Sequence, residues 1–218
     1  MMDRNLGATS STPGDVGALG LLYQWGRKDP FLGSSSISDN IESKSTITWP
    51  FSVSSSSSTG TIAYATAHPT TFITYNSNNY DWYYSTDDST DDTRWQSSKT
   101  VYDPCPAGWR VPDGGTSGVW SKAFGASSSW TSNWDSTGMD FSKTDKKLGS
   151  SGTIWYPASG YRYDSGGSLH DVGYRGFYWS VSPNGYNAYL LGFDIYGRVY
   201  PAGIYYRSRG QSVRCLQE

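Results

Sequence analysis

The residues best suited to recognition chemistry lie near the carboxyl end. Between Tyr174 and Arg209, Tyr and Arg recur beside small residues: Tyr174-Arg175-Gly176-Phe177, Asn184-Gly185-Tyr186, Asp194-Ile195-Tyr196-Gly197-Arg198, Tyr200 and Ile204-Tyr205-Tyr206-Arg207. Tyrosine offers a large rigid contact surface and a hydroxyl while freezing few torsions. Arginine adds a planar five-donor head that stacks on rings or clamps carboxylates. Such a stretch suits non-covalent binding. Some of its rings must be core instead, and Tyr178-Trp179 and Tyr189 with Phe193 sit in strand-like patterns that mark them as core members.

Other chemistry has few residues to work with. A hydrolase needs a nucleophile with a base held beside it. Serine is abundant, but His68 in Ala67-His68-Pro69 and His170 in Leu169-His170-Asp171 sit in no recognisable nucleophile–base motif. Adjacent side chains usually point different ways, so His170-Asp171 reads as a surface or structural pair rather than a dyad or a metal site. No Gly-x-Ser-x-Gly, His-Glu-x-x-His, phosphate loop or dinucleotide fingerprint occurs. Asp87-Asp88 and Asp91-Asp92 form the densest acidic patch, yet their spacing lacks the calcium loop with its closing Glu, which favours a solvated acidic loop. Neither a metal nor a cofactor is expected. A bridge between Cys105 and Cys215 would close a loop of about 100 residues, nominally worth about 4–5 kcal/mol. The alternative is two buried thiols that never meet, in a cytosolic protein.

The chain as a whole narrows the setting. Its 218 residues hold one sizeable core or at most two small domains. A formal net charge of -2, from 17 Lys+Arg against 19 Asp+Glu, gives no electrostatic case for a nucleic-acid partner. Ten Trp, 18 Tyr and 7 Phe argue against disorder. With 36 Ser and 25 Gly, long helices are unfavourable. No apolar run is long enough to span a bilayer. Met1-Met2-Asp3-Arg4-Asn5 opens no signal peptide, and the abrupt start on core-like sequence favours a piece of a longer protein.

These properties predict short strands joined by many loops. Val16–Trp25 is either a short helix or an irregular buried segment. Ser45–Val53 and Thr61–Ala67 carry alternating apolar or β-branched residues suited to strands on either side of the serine run Ser54 to Ser58. Tyr75–Trp95, dense in Asn, Asp and aromatics, reads as an exposed insertion held by its rings. Three prolines exclude a helix across Val101–Pro112. Thr116 or Ser117 is placed to cap a short helix through Phe124. Strand-sized pieces follow at Trp155–Ala158, Gly176–Val181, Ala188–Asp194, Arg198–Pro201 and Gln211–Leu216.

Several segments carry a family likeness. Asp3-Arg4-Asn5-Leu6-Gly7-Ala8, Tyr23-Gln24-Trp25-Gly26-Arg27, Cys105-Pro106-Ala107-Gly108-Trp109-Arg110-Val111-Pro112, Tyr178-Trp179-Ser180 and Ser212-Val213-Arg214-Cys215 occur in this order. Together they resemble the Fibrobacter succinogenes major paralogous domain of Bacteroidetes surface proteins. That resemblance implies an α+β, C-type lectin-like fold of the branch used by formylglycine-generating enzymes and phage receptor-binding proteins. It would be a single domain over 1–218, loop-rich with one or two short helices and a peripheral Ser/Asp/aromatic-rich insertion at about 34–100.

The end of the chain, from Tyr178-Trp179-Ser180 through Ala188-Tyr189, Phe193, Pro201 and Arg207-Ser208 to Ser212-Val213-Arg214-Cys215, is similar to target proteins varied by diversity-generating retroelements. In that likeness 174–209 is a variable, ligand-contacting region. Its members would be Tyr174, Arg175, Phe177 and Tyr186, then Leu191, Asp194, Tyr196, Arg198 and Tyr200, then Gly203, Ile204, Tyr205, Tyr206 and Arg209, with the frame buried beneath them. No Gln-Pro-Asp or Glu-Pro-Asn calcium–sugar motif accompanies the lectin-like frame.

The expected function is therefore non-enzymatic: a receptor- or ligand-binding domain of a longer protein displayed on a phage tail fibre or bacterial surface. Its partner would be a cell-surface protein or glycan met outside the cell, with no membrane insertion. The alternative is a structural or adhesin subunit of a surface fibre or pilus. A formylglycine-generating activity would use a copper-bound cysteine pair, and neither cysteine has a second thiol near it in sequence.

Overall fold

The alternating residues between Arg175 and Tyr206 fold as an antiparallel three-stranded meander in a computed structural model describing residues 1–37, 51–75, 77, 79–87, 89–141 and 154–218. Along the first half of the chain come β1 (Leu21–Gln24), β2 (Phe31–Leu32), β3 (Ser52–Ser54), α1 (Ile62–Ala67), β4 (Phe72–Thr74) and β5 (Trp109–Arg110). Next are α2 (Val119–Phe124), β6 (Ser129–Trp130), β7 (Trp134–Asp135), β8 (Gly138–Asp140), β9 (Trp155–Pro157), β10 (Tyr161–Arg162) and β11 (Leu169–His170). The chain ends with β12 (Arg175–Asn184), β13 (Asn187–Asp194), β14 (Arg198–Tyr206), β15 (Gly210–Ser212) and β16 (Leu216–Gln217). The result is a mixed α+β domain with open sheets.

The largest sheet runs β11-β10-β15-β12-β13-β14-β6, and β15 also carries β1, which carries β2. Within it β12, β13 and β14 pair antiparallel in sequence order, while β15 meets β12 in parallel at Ser212 and Tyr178. Because side chains alternate across a strand, this meander is apolar on both faces. One face gives Phe177, Trp179, Val181, Ala188 and Leu190 to a core shared with Tyr23, Trp25, Trp95 and Val213. The other gives Tyr178, Leu191, Phe193 and Val199 to a core with Trp120, Met139, Phe141 and Tyr156. Cys105 and Cys215 are disulfide-bonded, with Cα atoms 5.9 Å apart, as buried members of the first core.

Several buried tryptophans are tied to the backbone as well as packed. Trp25 Nε1 donates to Ser180 O at 2.8 Å, Trp82 Nε1 to Trp25 O at 2.8 Å and Trp179 Nε1 to Tyr23 O at 2.9 Å. Each satisfies a polar atom that would otherwise cost energy on burial.

Several expectations need correction. Thr61–Ala67 is not a strand: Ile62–Ala67 is helical, capped by Thr61, whose side chain accepts from Tyr64 N. The alanines at 63, 65 and 67 favour that helix, and a six-residue stretch is too short for periodicity to separate helix from strand. Val16–Trp25 is neither alternative throughout, since Val16–Ala18 forms a 3-10 turn and Leu21–Gln24 a strand. Gly118, not Thr116 or Ser117, is the cap residue of α2, and no side chain caps it. Of Ser45–Val53, residues 45–50 lie outside the described residues. Arg198–Pro201 is the start of a longer strand that runs to Tyr206.

The largest correction concerns the expected peripheral insertion. Trp82, Arg94 and Trp95 are fully buried, as are Asn79 and Asp81. Arg94 Nη2 pairs with Asp81, and its guanidinium lies 4.6 Å from the Trp82 ring and 5.1 Å from that of Trp25. A polar composition concealed a segment whose charges cancel in pairs against tryptophan faces.

Candidate functional site

The open part of the central meander is where the Tyr/Arg residues gather. Register puts Arg175 opposite Asp194, Phe177 opposite Gly192, Leu190 opposite Gly203 and Gly192 opposite Tyr200. These residues share one pleat face. Toward Trp179 and Ala188 that face is covered by Trp25 and Trp95. Toward Arg175 it is a cleft of about 290 Å³ lined by Phe177, Leu190, Gly192, Tyr200, Gly203, Ile204 and Tyr205, with Arg175, Asp194 and Arg198 at one end. Gly192 and Gly203 make its floor low, since an added Cβ at Gly192 would already touch Leu190 and Phe177 at 3.4 and 3.5 Å.

The charged end is organised by a tight turn between β13 and β14. Asp194 is 2% exposed and accepts from Tyr196 N at 3.0 Å, Arg198 N at 3.2 Å and Arg198 Nε at 2.5 Å. That hydrogen bond raises the Arg198 pKa above its ordinary value. Gly197 closes the turn with φ +86°, its N donating to Asp194 O. Arg198 lies 5.5 Å from the Tyr196 ring and 5.9 Å from that of Trp130. Across the sheet, Arg175 Nη1 donates to Asp171 at 3.3 Å, and the Arg175 head lies 5.5 Å from the Tyr174 ring. Tyr174 and Tyr196 meet edge-to-face at 5.7 Å.

At the other end the cleft merges with an aromatic cluster. Phe177 contacts Tyr205 at 5.2 Å and Tyr161 at 5.4 Å. Arg209 is set among Tyr205, Tyr161 and Tyr163 at 4.4, 4.8 and 5.4 Å, with Asp164 at 3.3 Å. Tyr206 stacks on Tyr80 at 4.3 Å, and Tyr80 on Tyr75 at 5.5 Å.

Of the residues singled out from sequence, Arg175, Phe177, Asp194, Arg198, Tyr200, Gly203, Ile204 and Tyr205 line the cleft. Tyr174 and Tyr196 flank its charged end, and Tyr206 and Arg209 join the adjoining cluster. Leu191 does not belong: it is fully buried in the opposite core, because a one-residue step in a strand reverses the face. Tyr186 lies at the β12–β13 tip and lines no part of the cleft. Nor do all the rest face solvent, since Tyr174, Phe177 and Asp194 are buried. Trp130, 73% exposed and paired with Arg198 through β6, escaped the sequence reading because its strand has two residues. Leu190 was missed as well, although it follows from the alternation that marks Phe193 as core.

The remaining candidates fall elsewhere. His170 Nε2 lies 3.0 Å from Ser168 Oγ and its ring stacks on Tyr161. Asp92 pairs with Arg207 at 2.6 Å, so part of the acidic patch neutralises a buried cation. The two cysteines, distant in sequence, are brought together, which removes the argument that neither has a thiol near it; neither lines the cleft. Among the described residues no cluster of three His, Cys, Asp or Glu could hold a metal ion, and no helix is long and apolar enough to cross a membrane. Comparison with known proteins adds nothing to this geometry: no family model, curated protein or solved structure matches the chain.

Proposed function

From the cleft alone, we propose that this chain is a non-enzymatic ligand-binding domain that receives a partner's side chains against the open face of β12, β13 and β14. The observation that carries the reading is the cleft with a glycine floor, ringed by Tyr200, Tyr205, Arg175 and Arg198, over a sheet packed on both faces. Concave apolar sites with a few polar groups are the usual form of binding pockets. The lectin-like fold assignment, variation of the 174–209 positions and display on a phage tail fibre or bacterial surface belong to the same proposal. The Cys105–Cys215 bridge supports an oxidising, extracellular setting.

Ligands selected for the chain from a peptide display library and a glycan array test this reading. Binding should be lost in Tyr200→Ala and in Gly192→Val, which fills the floor, while the thermal melt of Tyr200→Ala stays within a few degrees of the parent. Selected ligands that tolerate both changes would place binding elsewhere. The variation claim is tested in flanking DNA, by a reverse transcriptase gene with an adenine-rich near-copy of the codons for 174–215. Exposure of Trp130 and Tyr196, at 73% and 59%, beside the edge strand β6 favours a second reading, a subunit of a surface fibre. Light scattering separates the two, since a fibre subunit self-associates.

A further inference from the structure

The charged end of the cleft has unused capacity of one sign. Asp194 accepts three hydrogen bonds, from Tyr196 N, Arg198 N and Arg198 Nε. Arg198 spends only Nε on it, and Arg175 spends only Nη1 on Asp171. Among the described residues nothing accepts from Arg198 Nη1 and Nη2 or from Arg175 Nε and Nη2, and these side chains are 33% and 30% exposed. Both strands flank β13, so the two Cα atoms lie about 10 Å apart, twice the strand spacing. Two long arginines can therefore converge on one group between them, and guanidinium N–H pairs match a carboxylate's two oxygens.

Resting on the ligand-binding reading above, we propose that the cleft takes an acidic segment of a partner protein, with a carboxylate between Arg175 and Arg198 and a neighbouring apolar or aromatic side chain over Gly192 and Gly203. The rest of the wall decides between a protein acid and a sugar acid. Phe177, Leu190 and Ile204 are apolar, whereas a uronic acid would bury hydroxyls there with few partners. The volume, about 290 Å³, is at the small end for ligand pockets and fits one or two side chains. Stacking on Tyr174, Tyr196 and Trp130 holds the two guanidiniums in place before a ligand arrives.

The test is an NMR titration of the full chain, at up to about 10 mM probe, with acetyl-aspartyl-phenylalanine amide, its asparaginyl counterpart and glucuronate. The aspartyl peptide should shift the Gly192 and Gly203 amides and bind roughly tenfold tighter than the asparaginyl peptide at low salt. That margin should shrink as sodium chloride is added, a readout that needs no variant. Arg175→Gln should erase most of the margin, as should Arg198→Gln, each checked by thermal melt. Equal binding of the two peptides overturns carboxylate recognition and leaves the cleft as a binding site. Tighter binding of glucuronate than of the aspartyl peptide overturns the protein partner. Silence of Gly192 and Gly203 toward every probe overturns this inference and the ligand-binding reading together.

Discussion

Asn5 joins parts of the chain that lie far apart in sequence. Its Nδ2 reaches Leu19 O at 3.0 Å, Tyr178 Oη at 3.2 Å and Ser159 Oγ at 3.3 Å, and its Oδ1 accepts from Arg214 Nε and Nη2 at 3.2 and 3.0 Å. Arg214 is buried and sits 3.8 Å over the Tyr156 ring. Asn5→Ala strips that cation of its side-chain acceptor, and urea unfolding should show a loss of about 3 kcal/mol. Burial also sets the alkaline limit. It raises the Tyr161 pKa from 10.0 to about 12 and pushes Tyr156, Tyr178 and Tyr23 up as well. The unfolded chain then loses these protons first, near pH 10. Their stabilisation is full below that pH and falls as pH rises through their raised values, about 12 for Tyr161. Absorbance at 295 nm should show Tyr23, Tyr156 and Tyr178 ionising only with a cooperative unfolding step. Smooth ionisation of these three with the fold intact would contradict this.

At the scale of elements, the β13–β14 turn decides where Tyr196 and Arg198 stand. Gly197 has φ +86°, and a Cβ there would lie 2.0 Å from Thr131 O, which itself receives no relief because Thr131 N donates to Gly197 O at 2.8 Å. Gly197→Ala should cost about 2 kcal/mol or more, and it should loosen β6 from β14. Hydrogen exchange would show this as lost protection at Thr131 and Val199, with the centre of β12 unchanged. The three strand segments of the meander were readable from sequence, though not their pairing. Phe193, Tyr178 and Trp179 are core as expected, the last two in opposite cores, whereas Tyr189, expected beside Phe193, is only partly buried. Leu191 shows the limit. Its similarity-based assignment to the binding set ignored the pleat, which places it with Phe193 in the opposite core.

The whole molecule is closed by its ends. Met2 N donates to Cys215 O and Leu6 N to Val213 O, so the amino-terminal segment lies along the carboxyl-terminal one. The Cys105–Cys215 bridge spans a sequence separation of 110 and ties that region to the proline-fixed segment. Reduction, or Cys215→Ala, should lower stability by about 3–5 kcal/mol through the freer unfolded chain. A denaturation midpoint that is the same with and without reductant would contradict that. Loss should be global, because Cys105 and Cys215 share a core with Trp25, Trp95 and Trp179.

By itself the sequence determined the strand-rich, helix-poor class, the strand segments of the central sheet and the Tyr/Arg composition of its open face, because alternation and residue type are local properties. Tertiary structure alone decided that Trp82, Arg94 and Trp95 are interior. Arg94 is tolerable there only because Asp81 and the faces of Trp25 and Trp82 meet it from other segments. It also decided which of the Tyr/Arg positions share a cleft. Membership depends on strand register and on what covers each end of the sheet, and both are set by contacts between residues far apart along the chain.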